Sequence, residues 1–384
     1  MNAKLHIKGF KCFRDVEIPL KQLTIFAGAN GQGKSTAIQS ILLLRNTIDS
    51  IRSKISREDH EIEHENLVES TKISINGNYC LSLGDSHSLL NSSREGEGIV
   101  LKLDHNDRGY FSAIYDAEDF TNTLYLNLLK STGKGLSNAP LLTKEFYYLN
   151  AERIGPRTRQ DIVFTEFDHV GFYGELTAQV LSEKGGFTSV QKERWFKGTT
   201  NKNLEQQVSY WMDFIFPGIR VKSGSSGSIH SAEILLENEY SSSGSLIPTN
   251  AGFGISYVLP IIVTGLIAKK KSYFIVENPE AHLHPSAQSR VGRFLAQIAQ
   301  AGVHILVETH SEHVINGIQI SVAEETIDYQ FPLVNFFGGN KSNTQPEVES
   351  IQLKKNGKLT KWPKGFFDQA QIDYANLLNI QKDV

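Results

Sequence analysis

"GANGQGKS", Gly28 to Ser35, fits G-x-x-x-x-G-K-[ST] and stands between the apolar stretch "QLTIFA" and the amphipathic stretch "TAIQSILLLRN". That setting is what a phosphate-binding loop requires. A buried strand delivers the loop, and the glycines let it wrap with its N–H groups turned inward. The helix that follows adds the positive end of its dipole. Gly28, Ala29, Asn30, Gly31, Gln32 and Gly33 form the wrap, Lys34 reaches the β- and γ-phosphates, and the Ser35 hydroxyl ligates Mg²⁺, with Thr36 next in the first helical turn. The alternative is a loop that merely matches the pattern; the strand–loop–helix context argues for a nucleotide.

Working outward, "KLHIKGF" and "DVEIPL" alternate in polarity as half-buried strands do, whereas "QLTIFAG" is continuously apolar, as a strand buried on both faces is. A helix with a thick apolar face is predicted from Ser35 to Asn46. Residues 50–145 read as an antiparallel sheet with a variable insertion. This region contains the charged "SREDHEIEHEN", the alternating "TKISING" and "GIVLKLDH", and a polar loop around "LLKSTGKGLSNAP". "EFYYLNAERIGPR" is a strand ending in a Gly-Pro turn. Residues 175–216 are mostly helical by pattern. "GIRVKSG" and "SAEILLEN" then frame the hairpin loop "SGSSGSIHS", and a second such stretch, "YSSSGS", precedes a long apolar helix. "SYFIVE", "VHILVET" and "FPLVNFF" are three further strands, and a helix over "PSAQSRVGRFLAQIAQAG" joins the first two. That crossover implies a parallel sheet and an α/β fold.

The 384 residues are 40% hydrophobic and 21% charged, the balance of a soluble globular protein with a substantial core. A net charge of −3 supplies no global attraction to nucleic acid or to acidic membranes, so DNA binding would need a local basic patch. Two cysteines, Cys12 and Cys80, argue against a disulfide scaffold and for a reducing compartment. The N-terminus has no long apolar core, and the longest apolar run, Tyr257 to Ala268, is too short to span a bilayer. A cytoplasmic location and no membrane partner are expected.

Four more pieces follow in order. Glu277 ends "SYFIV", where a carboxylate leaving a buried strand can hold Mg²⁺ opposite Ser35; a solvated strand end is the alternative. "NAGFGIS", Asn250 to Ser256, has the small residues that leave N–H groups free for an anion at a helix start, or it is a glycine-rich turn before a core helix. His310 leaves the strand "HILV" close to the other strand ends, although a lone histidine there is more often structural. Glu152 and Arg153, after "FYYLNA", either enter the nucleotide site or form a surface ion pair.

Taken in this order, the elements resemble the ABC-type ATPase heads, and specifically their RecF, SMC and OLD-like branch. "KLHIKGFKCFRDVEIPLKQLTIFAGANGQGKST" is similar to that branch's N-terminal sheet and Walker A motif. "NAGFGIS" is similar to its signature motif, "FIVENPEAHLHP" to its Walker B region and "ETHSEHVI" to its switch-histidine loop. "VESIQLKKNGKLTKWPKGFFDQ" resembles a small tail domain of uncharacterised function found on some members. The resemblance implies an ABC-ATPase head: a mixed, largely parallel core sheet around the loop, an antiparallel β subdomain and a helical signature lobe. It suggests an N-terminal lobe over 1–165, a signature lobe with Walker B and switch histidine over 166–340, and a tail over 341–384. It also implies a homodimer closed around ATP and Mg²⁺, in which Gly252, Gly254 and Ser256 meet the partner's γ-phosphate and His310 senses it.

One position departs from the family. Where members end Walker B in two acids, Glu277 matches the first and Asn278 replaces the second. An amide orients water by hydrogen bonding but does not accept its proton at neutral pH. Glu280 is the nearest alternative carboxylate, and slow hydrolysis is expected. His282, His284, His310 and His313 match no strong zinc spacing and read better as loop packing. The expected role is an ATP-dependent switch in DNA repair or in defence against phage and plasmids. Neither long heptads nor a nuclease segment is visible, so a separate effector is expected to supply the output. The alternative is a clamp that engages duplex DNA itself through Lys269–Lys271 or through Lys354, Lys355, Lys358, Lys361 and Lys364, although such runs are more often solvated faces. A transporter ATPase is disfavoured by the atypical signature, and a P-loop kinase by the ordered motif set. Trp362, Phe366 and Phe367 in the tail are read as a small core before an interface.

Overall fold

The polarity alternation of the first twenty residues becomes a hairpin, Ala3–Phe10 (β1) and Phe13–Leu20 (β2), whose turn places Lys11 at φ 49°. The computed structural model describes residues 3–52, 61–65, 71–93, 98–106, 109–116, 122–134, 140–226, 230–238, 244–338 and 345–382. Parts of "SREDHEIEHEN", "SGSSGSIHS" and "YSSSGS" lie outside them. Leu23–Gly28 (β3) runs into the glycine loop and Lys34–Ile51 (α1) leaves it. The helix continues past the expected end at Asn46. Thr47 Oγ1 donates to the Leu43 carbonyl at 2.8 Å or bonds the Tyr115 hydroxyl at 2.6 Å, and Ile48 and Ile51 are buried.

Glu61–Glu65 (β4), Thr71–Ser74 (β5), Ile99–Asp104 (β6), Tyr110–Asp116 (β7) and Tyr125–Lys134 (β8) join the hairpin in one antiparallel sheet. Its order is β2-β1-β6-β7-β8-β4, with β5 also on β8. Part of the polar loop expected around residues 128–140 is therefore strand. A register shift opposite Ile114 and Tyr115 leaves Leu129 as an extra, exposed residue, and beyond it the buried face is carried by Ser131 and Gly133. A bulge followed by small inward residues erases the alternation by which strands are read.

Phe146–Leu149 (β9) is followed by Gln160–Asp161 (β10), Thr177–Lys184 (α2), Leu204–Ile215 (α3), Ile219–Ser226 (β11) and Ser231–Asn238 (β12). The region 175–216 is less helical than its pattern suggests. Between α2 and α3 the chain is irregular except for one short turn, so that buried Arg194 can donate to the carbonyls of Gly265, Leu266 and Ala268. These carbonyls close the C-terminal end of Phe253–Ile267 (α4), which therefore needs a cation there.

Tyr273–Glu277 (β13), Pro285–Gln300 (α5), His304–Thr309 (β14), Glu312–Ala323 (α6), Pro332–Gly338 (β15), Glu347–Gln352 (β16) and Gln369–Lys382 (α7) complete the described chain. The core sheet has the order β16-β15-β3-β14-β13-β9, parallel throughout except for β16. Its strands are buried on both faces, which explains their continuous apolarity. Phe26, Ile275 and Leu306 face α1 and the antiparallel sheet. Ile25, Val276 and Val307 face α2 to α6 and the small sheet β10-β12-β11. Among the described residues no helix is long and apolar enough to cross a membrane.

Helices α5 and α6 cross at two glycines. A Cβ on Gly292 would lie 2.2 Å from the Val314 carbonyl oxygen, and one on Gly317 would lie 1.9 Å from that of Ser289. Main-chain oxygens cannot swing aside as a side chain can. Gly317→Ala is therefore expected to separate the helices and lower stability by roughly 2–3 kcal/mol, the upper part of the overpacking range. Urea unfolding checks this; a loss below about 0.5 kcal/mol would contradict it.

Candidate nucleotide site

The strands β3, β14 and β13 are adjacent and parallel, so their C-terminal ends bring the glycine loop, the "ETH" segment and Glu277 to one edge of the sheet. Ligands collect at that edge in open α/β sheets. Two loop glycines are sterically required. Gly28 has φ 137° and no room for a Cβ, which would lie 2.2 Å from the Phe337 carbonyl oxygen. Gly33 has φ 93°, and its Cβ would lie 2.6 Å from the Phe13 ring. Ala29, Asn30 and Gly31 form the exposed tip, with Gln32 half-buried. Gly33 caps α1 without a side-chain hydrogen bond, leaving the first-turn N–H groups to an anion.

Lys34 is 3% exposed, and its Nζ donates to the loop's own carbonyls, Gly28 at 2.9 Å and Ala29 at 2.8 Å. Burial lowers its pKa, while the charges of Glu308 and Glu280 oppose that shift. Ser35 is exposed, and its Oγ donates to Glu308 Oε1 at 3.0 Å. Thr36 turns away and bonds the Cys12 thiol. A cleft of ≈ 660 Å³ opens beside Ala29 and Gln32, bounded also by Phe337, Glu347 and Pro363–Gly365.

Glu277 Oε1 accepts from the Tyr148 hydroxyl at 2.8 Å, and Glu277 is paired in register with Glu308. Burial, then the Glu308 charge, raises the Glu277 carboxyl to about 7. Asn278 has φ 44°, donates its N–H to the Glu308 carbonyl at 2.9 Å, and has a buried side-chain oxygen without a partner among the described residues. Glu280 accepts from Thr309 Oγ1 at 2.8 Å and from the His310 N–H at 2.6 Å, which fastens the Walker B turn to the histidine segment. The His310 ring is open to solvent. Partial burial and then Lys34 hold its pKa low, and the Gly28 carbonyl opposes them.

The remaining expected residues lie on the far side of this turn. Glu152 is exposed. Arg153 is 3% exposed and braces the Walker B backbone: it donates to the carbonyls of Asn150 at 2.9 Å, Glu277 at 2.7 Å and Asn278 at 2.7 Å, and lies over the Tyr257 ring. The surface ion pair considered for Glu152 and Arg153 is not formed, because Arg153 points inward. Helix α4 starts inside "NAGFGIS" with Gly252 as an N-cap lacking a side-chain bond, and Ser256 is half-buried. A Cβ on Gly254 would lie 2.7 Å from the His282 carbonyl oxygen, so this helix start seats on the Walker B turn. Two of the histidines are engaged in packing and capping: the His282 ring meets Phe253 and Tyr257, and His284 Nδ1 accepts from the Ser286 N–H to cap α5.

Two partners escaped the sequence reading, Glu308 and Tyr148. Glu308 carried a signal, since a carboxylate inside "HILVET" interrupts an otherwise apolar strand.

The chain matches, over residues 23–316, the profile of the family described as "AAA domain, putative AbiEii toxin, Type IV TA system". The chain belongs to this AAA-domain family. Its fold is of the ABC-type head kind. Beyond the AAA domain, residues 334–377 match a family described as "Protein of unknown function (DUF3696)". A stretch of 54 residues is 41% identical to an OLD nuclease of Thermus scotoductus, covering 14% of this chain and 10% of that protein. In three dimensions the AAA-domain chain is similar to an SMC head crystallised with the C-terminal winged-helix domain of ScpA. That likeness has 13% identity and a TM-score of 0.51, covers 92% of this chain and 98% of the other, and establishes the fold. An SMC head from Thermotoga maritima aligns with 13% identity over 91% and 98% of the chains, at a TM-score of 0.44.

Proposed function

We propose that this AAA domain binds ATP with Mg²⁺ and hydrolyses it slowly, closing into a homodimer around ATP and acting as a switch for a separate effector in DNA repair or in defence against phage and plasmids. The observation that carries the reading is the meeting of Lys34 and Ser35 with the strand-end carboxylates at the uncapped start of α1. The donor set fits magnesium. A serine hydroxyl and carboxylates are hard oxygen ligands, and Mg²⁺ usually takes one or two carboxylates with substrate phosphates and water. Ser35 and Glu277 would hold it, and bound metal would neutralise phosphate charge. The uncapped α4 start at Gly252, Gly254 and Ser256 supports a second anion contact, to the nucleotide of a partner copy. His310, linked through its N–H to Glu280, would report the γ-phosphate to the Walker B turn.

Asn278 supports slow turnover. Glu280 lies on the same turn and is the carboxylate available to handle water. Its two accepted hydrogen bonds occupy part of the carboxylate's roughly four acceptor sites and leave the others for water. Glu280→Gln is expected to reduce turnover about 10²–10⁴-fold, the range of general acid–base catalysis, with ATP affinity retained. Phosphate-release kinetics with parallel ATP titration checks this. Unchanged turnover in Glu280→Gln, with activity abolished in Lys34→Ala, would remove Glu280 from the role.

Direct duplex binding has weaker support, because Lys269, Lys270 and Lys361 pair with Glu145, Glu193 and Glu349. The stretch shared with the OLD nuclease is a tenth of that protein, and nuclease activity is not carried over.

A further inference from the structure

We infer that Glu308 is the positioning acid of the magnesium site: it takes the proton of Ser35 in a hydrogen bond and turns the hydroxyl lone pairs towards the metal, beside the charge of Glu277. This rests on the nucleotide-site reading above. Glu277 alone matches the expected metal acid, yet one of its carboxylate oxygens is engaged by Tyr148, and the hydroxyl of Ser35 points at Glu308 instead.

Topology explains why. Strand β14 lies between β3 and β13, so Glu308 is one strand closer to the loop than Glu277 and is paired with Phe26 on one side and Glu277 on the other. Leu306 and Ile275, two residues before Glu308 and Glu277, both face α1, and the period of two places both carboxylates on that face, under the first turn that carries Ser35. A serine hydroxyl has one proton and two lone pairs. When a carboxylate takes the proton, the lone pairs remain for a cation. Glu308 is only 4% exposed in an apolar strand, where an unpaired charge is costly. The nearest cation, Lys34, donates to the carbonyls of Gly28 and Ala29. A metal ion held at Ser35 would complete the charge balance.

The test uses the full chain, Mn²⁺ as the metal and a fluorescent ATP analogue. Mn²⁺ binding is read by electron paramagnetic resonance with nucleotide present, and nucleotide binding is read separately in EDTA. Glu308→Gln keeps the shape and removes the charge. It is expected to weaken Mn²⁺ binding about 10–100-fold, as loss of an outer-shell partner does. Nucleotide affinity in EDTA is expected to be equal or tighter, because a negative charge has left the neighbourhood of the phosphates. Ser35→Ala should lose Mn²⁺ to a similar degree, and the double variant little more than either, as coupled neighbours behave. Wild-type Mn²⁺ affinity in Glu308→Gln would overturn the inference. So would a parallel loss of metal-free nucleotide binding, which would mark a structural role. If the unaltered chain bound no nucleotide in EDTA or with Mn²⁺, the nucleotide-site reading itself would fail, and this inference with it.

Discussion

Replacing Lys34 with alanine is expected to weaken ATP binding by at least about 100-fold and to abolish turnover. Lys34 Nζ donates to the Gly28 and Ala29 carbonyls, which keeps the loop closed around the ammonium group. A nucleotide exchanges those neutral acceptors for charged ones without moving the lysine far. Hydrogen bonds to charged groups are worth about 1.5–3 kcal/mol each. Losing two of the weaker kind costs about 3 kcal/mol, and 1.4 kcal/mol is a factor of ten. Burial lowers the lysine's pKa, and the neighbouring charges of Glu308 and Glu280 offset part of that shift. Calorimetric titration of ATP into Lys34→Ala, with circular dichroism as the folding control, is the measurement. A folded variant that binds ATP within threefold of wild type would mean that the loop does not hold phosphate.

The second large effect concerns stability. Arg153→Met is expected to lower unfolding free energy by roughly 3–5 kcal/mol, because it takes a donor from three carbonyl oxygens at a buried junction, of which that of Asn278 keeps the Ala281 N–H, and each group left unsatisfied costs about 1–3 kcal/mol. The three belong to Asn150, Glu277 and Asn278, so one guanidinium ties the end of β9 to the end of β13. It also supports a non-glycine residue at positive φ, Asn278, whose conformation is costly unless its surroundings impose it. Methionine preserves much of the apolar stem and removes the planar fork that lies over the Tyr257 ring. Lysine should recover little, because an ammonium cannot reproduce a forked pair of donors. Urea denaturation gives the answer, and a change below about 1 kcal/mol would show the brace to be dispensable.

The fold was legible where local pattern and burial coincide. Apolar runs mark β3, β13, β14 and β15 as strands, β3 as one buried on both faces, and the glycine loop between β3 and α1 marks the candidate site. Glu277 and His310 were legible because strand ends expose polar side chains. Asn278 was legible only as a departure from the expected acid. Arg153 reads in the sequence as either a nucleotide contact or half of a surface ion pair, and what it holds is the backbone behind Glu277. Its guanidinium seeks carbonyl oxygens, which every residue has and no sequence pattern displays. Ser35 was expected to face Glu277. Pairing across strands decides that contact, and the strand order that inserts β14 between β3 and β13 brings Glu308 to the serine instead. The strand β8 was hidden for a local reason, the bulge at Leu129.

The outermost strand of the core sheet has a protective consequence. β15 is apolar and almost wholly buried, whereas β16, Glu347–Gln352, is polar and more exposed and forms the sheet's outer boundary. Just beyond it, Phe366 is 1% exposed against Phe336 of β15. A chain cleaved between residues 338 and 347 and parted from its C-terminal piece would present the unpaired N–H and C=O groups of an apolar strand. Such an edge is a template for pairing with other chains. Damage in the tail would then show itself as self-association, even though Phe337 of the same strand lies directly against Gly28 of the glycine loop.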